Sequence, residues 1–441
     1  MTGYFSGWML QQRWLAVLII AIIIALGIAV APFSRSGNLL SIEPLPIDAI
    51  PNIGENLQIV HTAWPGRSPE EMEERITLPL SRTLMGMRGL KSLRSNSTIG
   101  SSDIYLIFEE KTGFRESRIL IQEKLNTLDP TLIPPEVHPK LGPEATALGQ
   151  IFWYTLEGVD EEGGVTPAWD LTEMRSIQDF YIKDHLRSVP GVAEVASIGG
   201  QIKEYQILLQ PDKMRALNID LEALRKALEA NNISEGAHTL EINKAEYFIN
   251  ARGYFRSVED IENTLVKRIG NQPVLIRDVA EVKIGDAYRR GLLEKNGHEV
   301  VGGIVVAQHG ANPLKVINAL KAKIEEIRPG LPQKELATNQ KISLRILPYY
   351  DRSQLIRQSI KSLFHTLGLE IGITIFVVLL FLKNFRAALL IASVLPLAVS
   401  STFILMWCFG LEANMASLAG IGIAIGTIVD LSIIQVENLV R

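Results

Sequence analysis

Apolar residues are concentrated near the two ends of the chain, whereas the middle has the mixed composition of a soluble protein. Long apolar stretches predict helices that cross a lipid bilayer. We find four, at residues 14–33, 367–382, 387–410 and 415–436. The pattern predicts one membrane anchor, a large water-exposed region and a cluster of three further spans.

The first stretch has an alternative interpretation. Ala29-Val30-Ala31 has the small-x-small form of a signal-peptidase site, so this segment could instead be a cleaved signal peptide. A membrane span is favoured, because the apolar run is too long for a signal-peptide core and Pro32 would follow the cut.

Two basic residues predict the orientation of the spans. Lys383 and Arg386 lie in the short loop between the second and third spans, and such loops remain in the cytoplasm. Counting spans from there, the N-terminus is also expected inside. Residues 34–364 are then expected on the exported side.

The exported region alternates strand and helix patterns. Strands are predicted over residues 56–64, 91–97 and 103–109, and helices from Ser68 and over residues 115–128. This order is typical of a split βαβ sandwich. Further along, the pattern predicts helices over 221–231 and 313–327 and one continuous strand over 274–284.

Part of this unit recurs. MRGLKSLRS at 87–95 and VPGVAEVAS at 189–197 match at a constant offset of 102 residues. A repeat at this spacing predicts two similar small domains and not a solenoid. The predicted fold is an α+β membrane protein with four regions. They are the cytoplasmic N-terminus and first span (1–33), a first exported subdomain (34–135), a second one with an insertion and a return strand (136–350), and spans two to four (351–441).

Asp430 is the candidate functional residue with the strongest physical argument. It is the only ionisable residue between Met415 and Val436. It lies about 22 Å along that helix, where a carboxylate costs about 2.5–3.5 kcal/mol. Gly422 and Gly426 share its helix face, which is therefore expected to meet another helix. Two roles remain open: a carboxylate that carries protons, or an Asp held by a static hydrogen bond or a lysine partner.

Two weaker candidates lie on the same helix. Glu437 follows Asp430 by seven residues on nearly the same stripe, and Arg441 can pair with it at i, i+4. Glu437 is therefore either a second proton-carrying group or a boundary residue. Met415 is a candidate metal ligand, because soft metals such as Cu(I) accept thioethers, although methionine is also common core filler.

Composition excludes several functions. The 44 basic residues are balanced by 48 acidic ones, which argues against nucleic acid as a partner. A single cysteine, Cys408, supports neither a disulfide framework nor a zinc cluster, and the seven histidines show no HxH or HxxH spacing. The sequence has no Walker A lysine motif or other ATP-binding signature, so ATP is not expected as a direct energy source.

Motifs along almost the whole chain resemble the resistance-nodulation-division transporters. They are WPGRSPEE (64–71), LGPEAT (141–146), VPGVAEVASIGG (189–200), RDVA (277–280), RRG (289–291), VGG (301–303), YDRS (350–353) and VEN (436–438). The PGxSPEE part of the first motif is general to the superfamily. The others, taken together, resemble its heavy-metal efflux branch.

The resemblance implies a cation/proton antiporter of the bacterial inner membrane, with ferredoxin-like porter subdomains in the periplasm, and not an enzyme. It implies a homotrimer that works with a periplasmic adaptor and an outer-membrane channel. Asp430 matches the family's proton relay, and Glu437 is the glutamate of its VEN tripeptide. A heavy-metal cation is the implied substrate, and the proton motive force, with no cofactor, is the implied energy source.

One position bears on the metal. Divalent-cation members tend to carry a second aspartate six residues before the relay aspartate, and here that residue is Ala424. This favours the copper and silver branch. Members of that branch line the helix with methionines, whereas Ile428 and Gln435 flank Asp430 here. The expectation is a monovalent metal, with zinc, cobalt, cadmium and nickel left open.

Family members have twelve spans in two related halves, and four are predicted here. The C-terminal half is therefore an expected partner, and it would carry the lysine and acidic residues that complete the relay and most metal ligands. Two alternatives remain: an exporter of drugs or other solutes, and a truncated, inactive fragment.

Overall fold

The computed structural model of the chain describes residues 13–32, 42, 44–51, 54–162, 164–166, 169–242, 244–251, 253–289, 291–335, 341–382 and 385–440. The chain divides into two compact units. The first comprises Met1–Thr166, Tyr181–Ser197 and Gly302–Arg441, and the second comprises Pro167–Phe180 and Ile198–Val301. The four predicted region boundaries remain a prediction.

The helices are α1 (Arg13–Val30), α2 (Pro69–Met72), α3 (Leu78–Leu84), α4 (Phe114–Asn126), α5 (Leu171–Ile177), α6 (Lys183–Arg187), α7 (Pro211–Ala216), α8 (Leu221–Asn231), α9 (Val258–Glu262), α10 (Ile276–Val279), α11 (Pro313–Ile327), α12 (Arg352–Leu382), α13 (Phe385–Cys408) and α14 (Met415–Val440). A π-helical turn joins α2 to α3 at Glu73–Thr77, and another joins α5 to α6 at Gln178–Ile182.

The strands are β1 (Asn56–Ala63), β2 (Leu90–Thr98), β3 (Ser101–Phe108), β4 (Lys140–Leu141), β5 (Gln150–Val159), β6 (Val192–Gly199), β7 (Lys203–Leu209), β8 (Glu235–Ile242), β9 (Ala245–Ala251), β10 (Leu265–Ile269), β11 (Gln272–Leu275), β12 (Ala280–Asp286), β13 (Glu294–Lys295), β14 (His298–Glu299), β15 (Val301–Ala307), β16 (Gln333–Glu335) and β17 (Lys341–Asp351).

The first sheet is antiparallel, with strand order β2-β3-β1-β4. One face is apolar because alternate residues of β3, such as Ile104 and Leu106, point inward. They pack against Met72, Ile76 and Leu80 of the broken helix that runs from α2 to α3. The strand, helix, strand, strand, helix order predicted from the sequence is found here.

The start of α2 matches its predicted cap. The Ser68 hydroxyl accepts the Glu71 N–H at 3.3 Å, and the Glu71 carboxylate accepts the Ser68 N–H at 3.4 Å. This reciprocal capping box satisfies two backbone donors that the first turn leaves without partners.

The second sheet has five strands in the order β16-β17-β5-β15-β6. Its β6 begins at Val192, the residue that corresponds to the start of β2 at Leu90 under the repeat offset. Both strands follow a helix that is interrupted by a π-helical turn. Helix geometry therefore recurs together with the sequence repeat.

In the second unit, β7 pairs with β12, and β8–β9 and β10–β11 form antiparallel pairs. The single strand predicted over 274–284 is wrong. β11 ends at Leu275, the short helix α10 follows, and β12 begins at Ala280. The reason is a local cap, because the Asp278 carboxylate accepts the Leu275 N–H at 2.8 Å.

Helices α12 to α14 and α1 contain the predicted apolar stretches. Within the described residues, length and composition allow two helices to cross a membrane, Arg352–Val377 and Met415–Gln435. Val17–Val30 and Ser393–Cys408 form shorter apolar helices. Helix α12 begins at Arg352, well before the stretch predicted from residue 367, because the YDRS segment leads directly into it.

Candidate functional site

Asp430 lies on the outward face of α14. Its side chain is exposed, whereas Leu418 and Ile421 of the same helix are buried against the neighbouring helices. Nine residues of helix separate Ile421 from Asp430, which places them on opposite sides. Among the described residues, none forms a hydrogen bond or ion pair with Asp430. The described part of the chain therefore leaves this carboxylate without a partner.

The two glycines that precede Asp430 on its helix face also lack close neighbours among the described residues. A methyl group added at Gly422 or Gly426 would meet no described atom within 4 Å. The close helix contact predicted for this face is therefore not made by the described residues. A close contact occurs elsewhere, where a Cβ at Gly27 of α1 would lie 2.3 Å from the Cβ of Ser400 in α13.

A groove of about 680 Å³ separates α14 from α12. Gly422 and Gly426 lie along one wall, and Met415 is the first α14 residue that lines it. The α12 wall is polar at every fourth residue, namely Gln358, Ser362, Thr366 and Glu370. The groove therefore brings a predicted candidate, Met415, into the same cavity as the carboxylate of Glu370.

Glu370 is the one carboxylate among the described residues that line this groove. Its Oε2 atom is buried and has no hydrogen-bond partner among the described residues. A carboxylate at a membrane boundary would be expected to keep both oxygens in water. The sequence analysis missed this face, although the spacing of four between polar residues on α12 is a signal that could have indicated it.

The remaining candidates are not assembled into a site. Met415 is half exposed, and in the part of the chain that the structure describes no three His, Cys, Asp or Glu side chains are grouped to hold a metal ion. Glu437 belongs to α14, but its side chain lies outside the described set, as does Arg441. Their predicted pairing and the role of Glu437 remain predictions.

A buried polar junction holds the N-terminal end of α12. Arg352 is 2% exposed, and its Nη1 donates to the carbonyl oxygen of Leu148 at 2.7 Å. Its Nε lies 3.2 Å from Oδ1 of Asp48. This is the geometry of an ion pair without an aligned hydrogen bond, since Nε itself has no hydrogen-bond partner. The sequence showed the YDRS motif here but gave no indication of its partners.

Asp48 and Asp351, the residue before Arg352, have pKa values shifted in opposite directions. Burial raises the pKa of Asp48 above its usual 3.8, against the opposing effect of the Arg352 charge. Burial also acts to raise the pKa of Asp351, but hydrogen bonds from Lys321 and Ser353 outweigh it and hold that pKa below 3.8. The folded environment therefore favours the ionised form of Asp351 and the neutral form of Asp48.

The same segment reaches the start of α14. The Asp48 N–H donates to the carbonyl oxygen of Ala413 at 2.9 Å, and the Ala413 N–H donates to that of Pro46 at 2.9 Å. Ala413 is two residues before α14. The segment before β1 thus contacts both the helix that carries Glu370 and the loop that leads to the helix of Asp430.

Comparison with known proteins identifies relatives along the whole chain. Residues 5–441 match the AcrB/AcrD/AcrF family. The chain is 40% identical over 395 residues to the putative cation efflux system protein SilA of Salmonella typhimurium and 39% identical over 395 residues to the cation efflux system protein CusA of Escherichia coli K12. It is 35% identical over 438 residues to the cobalt-zinc-cadmium resistance protein CzcA of Cupriavidus metallidurans.

The alignments cover 89% of this chain for SilA and CusA and 98% for CzcA, but only 36–39% of the relatives. The fold matches the crystal structure of a heavy metal efflux pump with a TM-score of 0.77 and 27% identity. That match covers 92% of this chain and 38% of the pump. The chain spans less than two fifths of the length of the relatives it matches.

Proposed function

The chain belongs to the AcrB/AcrD/AcrF family of resistance-nodulation-division transporters, and from this premise we propose that it forms the N-terminal part of a proton-driven pump for heavy-metal cations. The observation that carries the proposal is Asp430, a carboxylate on an apolar helix that is long enough to span the bilayer. Such residues usually move protons or ions, because keeping them in the membrane is costly.

In this mechanism Asp430 takes a proton from the outer side and releases it to the cytoplasm. One charge moving across 100 mV supplies about 2.3 kcal/mol. Protonation removes the negative charge of Asp430. The neutral side chain favours a different packing of α14 against its partner helix, and this difference shifts the transporter between conformations. The exposed face of α14 is consistent with packing against a helix from the rest of the transporter. That partner helix would carry the lysine and acidic groups that complete the relay.

The proposed setting is the bacterial inner membrane, with four spans from this chain, a cytoplasmic N-terminus and a periplasmic region between the first two spans. The working assembly is a homotrimer with a periplasmic adaptor and an outer-membrane channel. The large apolar side chains on the outside of the helices, such as Phe376, Ile423 and Leu431, support a lipid or protein environment for them.

The test is Asp430→Asn in the complete transporter, with metal resistance and metal-driven proton flux as readouts. The variant keeps the size of the side chain but cannot release a proton, so both are expected to be lost. Thr427→Val is the matched control. Its hydroxyl donates to the Ala424 carbonyl oxygen of the same helix at 2.7 Å, and the variant should keep both activities. Full resistance of Asp430→Asn would refute the relay.

The cargo is tested separately by comparing growth of cells that express the complete transporter in copper or silver with growth in zinc, cobalt, cadmium or nickel. The presence of Ala424 in place of a second carboxylate supports a monovalent cation. Resistance to dyes and detergents without resistance to metals would instead indicate a drug exporter of the same family.

A further inference from the structure

Helix α12 carries a stripe of polar residues on the side that lines the groove beside α14. Gln358, Ser362, Thr366 and Glu370 follow at intervals of four and all line the groove beside α14. Residues at this spacing share one helix face. Polar groups in a membrane helix usually face the protein or a water-filled cavity and not lipid. The stripe therefore favours water along the α12 wall of this groove.

The groove leads towards Asp430. If both helices begin at the outer side, they run in parallel, and the deepest lining residue of each is the last in sequence, Glu370 on α12 and Gly426 on α14. Asp430 is one helical turn beyond Gly426, about 6 Å further along the axis. The polar stripe on α12 thus ends at the carboxylate of Glu370, and the carboxylate of Asp430 follows further along the facing helix α14.

Glu370 is the titratable group of this groove. The rest of the described lining consists of apolar, hydroxyl, amide and glycine residues. On α12 itself, Lys361 and His365 are exposed and do not line the groove. A second cavity lies between this part of α12 and α13. Its α13 residues include Leu395, Val399 and Phe403, which carry no charge.

The buried oxygen of Glu370 indicates which chemistry the groove could support. Oε2 is buried without a hydrogen-bond partner among the described residues, and a buried polar atom without a partner is costly, so this position favours a water molecule or a proton on the carboxyl group. A carboxyl group can transfer a proton to or from a water molecule within hydrogen-bond reach.

We propose that the groove between α12 and α14 is the water-lined path by which protons from the outer side reach Asp430, and that Glu370 binds each proton on the way. The inference rests on the proposed role of Asp430. A hydronium ion at the outer end gives its proton to the Glu370 carboxylate and becomes water. The Glu370 acid then passes a proton through water to the Asp430 carboxylate and returns to its anion.

The first experiment measures metal-driven proton flux of the complete transporter in vesicles as a function of outer pH. Glu370→Gln is expected to slow the flux by roughly a hundredfold, the contribution typical of one proton-transfer group, and Glu370→Asp should restore part of it. His365→Asn removes a titratable group of the same helix outside the groove and should keep the wild-type rate and pH profile. Wild-type flux and pH profile in Glu370→Gln would overturn the proposal.

The second experiment measures hydration without transport. Single cysteines replace Ala419 and Gly422 in the groove, or Leu369 and Ile373, which are 51% and 58% exposed on another face, in a cysteine-free background. A charged thiol reagent added outside should modify the groove positions and spare the other two, since it reacts only in water. Equal reactivity of the two sets would overturn the proposal.

Asp430→Asn separates the two levels of inference. If this variant keeps metal-driven proton flux, the proposed function is wrong, whatever the labelling shows. If it loses flux while the groove cysteines remain unreactive, the function stands and only the path is wrong.

Discussion

Arg352 Nε lies 3.2 Å from Asp48 Oδ1, so the first residue of α12 is joined to the segment that precedes β1. The same guanidinium donates to Leu148, 204 residues away in the chain. One nearly buried side chain therefore links a helix of the proposed membrane domain to two segments of the region that is proposed to lie in the periplasm. In the proposed pump, a rearrangement of α12 would be transmitted through this junction.

Removing Arg352 should destabilise the protein strongly. Arg352→Met leaves Asp48 and the Leu148 carbonyl without their cation, and loss of one partner of a buried pair costs about 3 kcal/mol or more. Adding Asp48→Asn removes the uncompensated charge, so the double variant should be less destabilised than the sum of the single ones. Thermal unfolding in detergent measures all three.

An exposed ion pair on α8 provides the control for these three variants. Arg225 Nη2 lies 2.7 Å from Glu222 Oε1, with both side chains more than half exposed. Arg225→Met should leave the unfolding temperature unchanged, because exposed ion pairs contribute little. Additive effects of the Asp48 and Arg352 variants would contradict the assignment of a coupled pair.

The two aspartates of the junction predict opposite pH dependences. The pKa of Asp351 is below 3.8 in the folded protein, so its contribution to stability is present above that value and is lost as the pH falls through the folded pKa. The pKa of Asp48 is raised, so its contribution is present below 3.8 and is lost as the pH rises through the folded pKa.

Unfolding temperatures measured across the acid range test these signs. Asp351→Asn should remove part of the loss of stability on acidification. Asp48→Asn should remove the component that declines as pH rises, so relative to the wild type it should lose less stability between acid and neutral pH. If the two variants change the pH profile in the same direction, the electrostatic assignment of one of them is wrong.

A methyl group at Gly27 should disrupt the contact between α1 and α13. It would lie 2.3 Å from the Ser400 Cβ and 2.6 Å from its Cα, so the helices must move apart. Gly27→Ala should cost about 1–3 kcal/mol, the usual range for overpacking. Gly426→Ala is the matched control in the 441-residue chain, since no described atom lies within 4 Å of the added methyl. Equal unfolding temperatures for the two variants would argue against the close contact at Gly27.

The Ser68 cap should be measurable by itself. Ser68→Ala removes the acceptor of the Glu71 N–H and should cost about 1 kcal/mol, whereas Ser68→Gly should cost only a few tenths. Chemical unfolding of the two variants distinguishes loss of the cap from a general effect of substitution. A larger loss for glycine than for alanine would show that the hydroxyl contributes little.

Local patterns in the sequence were enough for several elements of this protein. The capped helix after Ser68, the strand that recurs at Val192, and α8 and α11 all lie where periodicity and caps predict them. These features depend on residues a few positions apart, and a linear reading contains that information. The strand predicted over 274–284 was wrong for a related reason, because the Asp278 cap competes with β propensity over a few residues.

The position of Asp430 on an apolar helix also followed from the sequence alone, because charge and hydropathy are properties of the chain. Only the tertiary structure determined its surroundings. It left Gly426 open and Gly27 tightly packed, buried one oxygen of Glu370 beside a groove, and joined Arg352 to Asp48. The reason is that such contacts depend on how helices and segments far apart in the chain pack together, and no local periodicity encodes which of them meet.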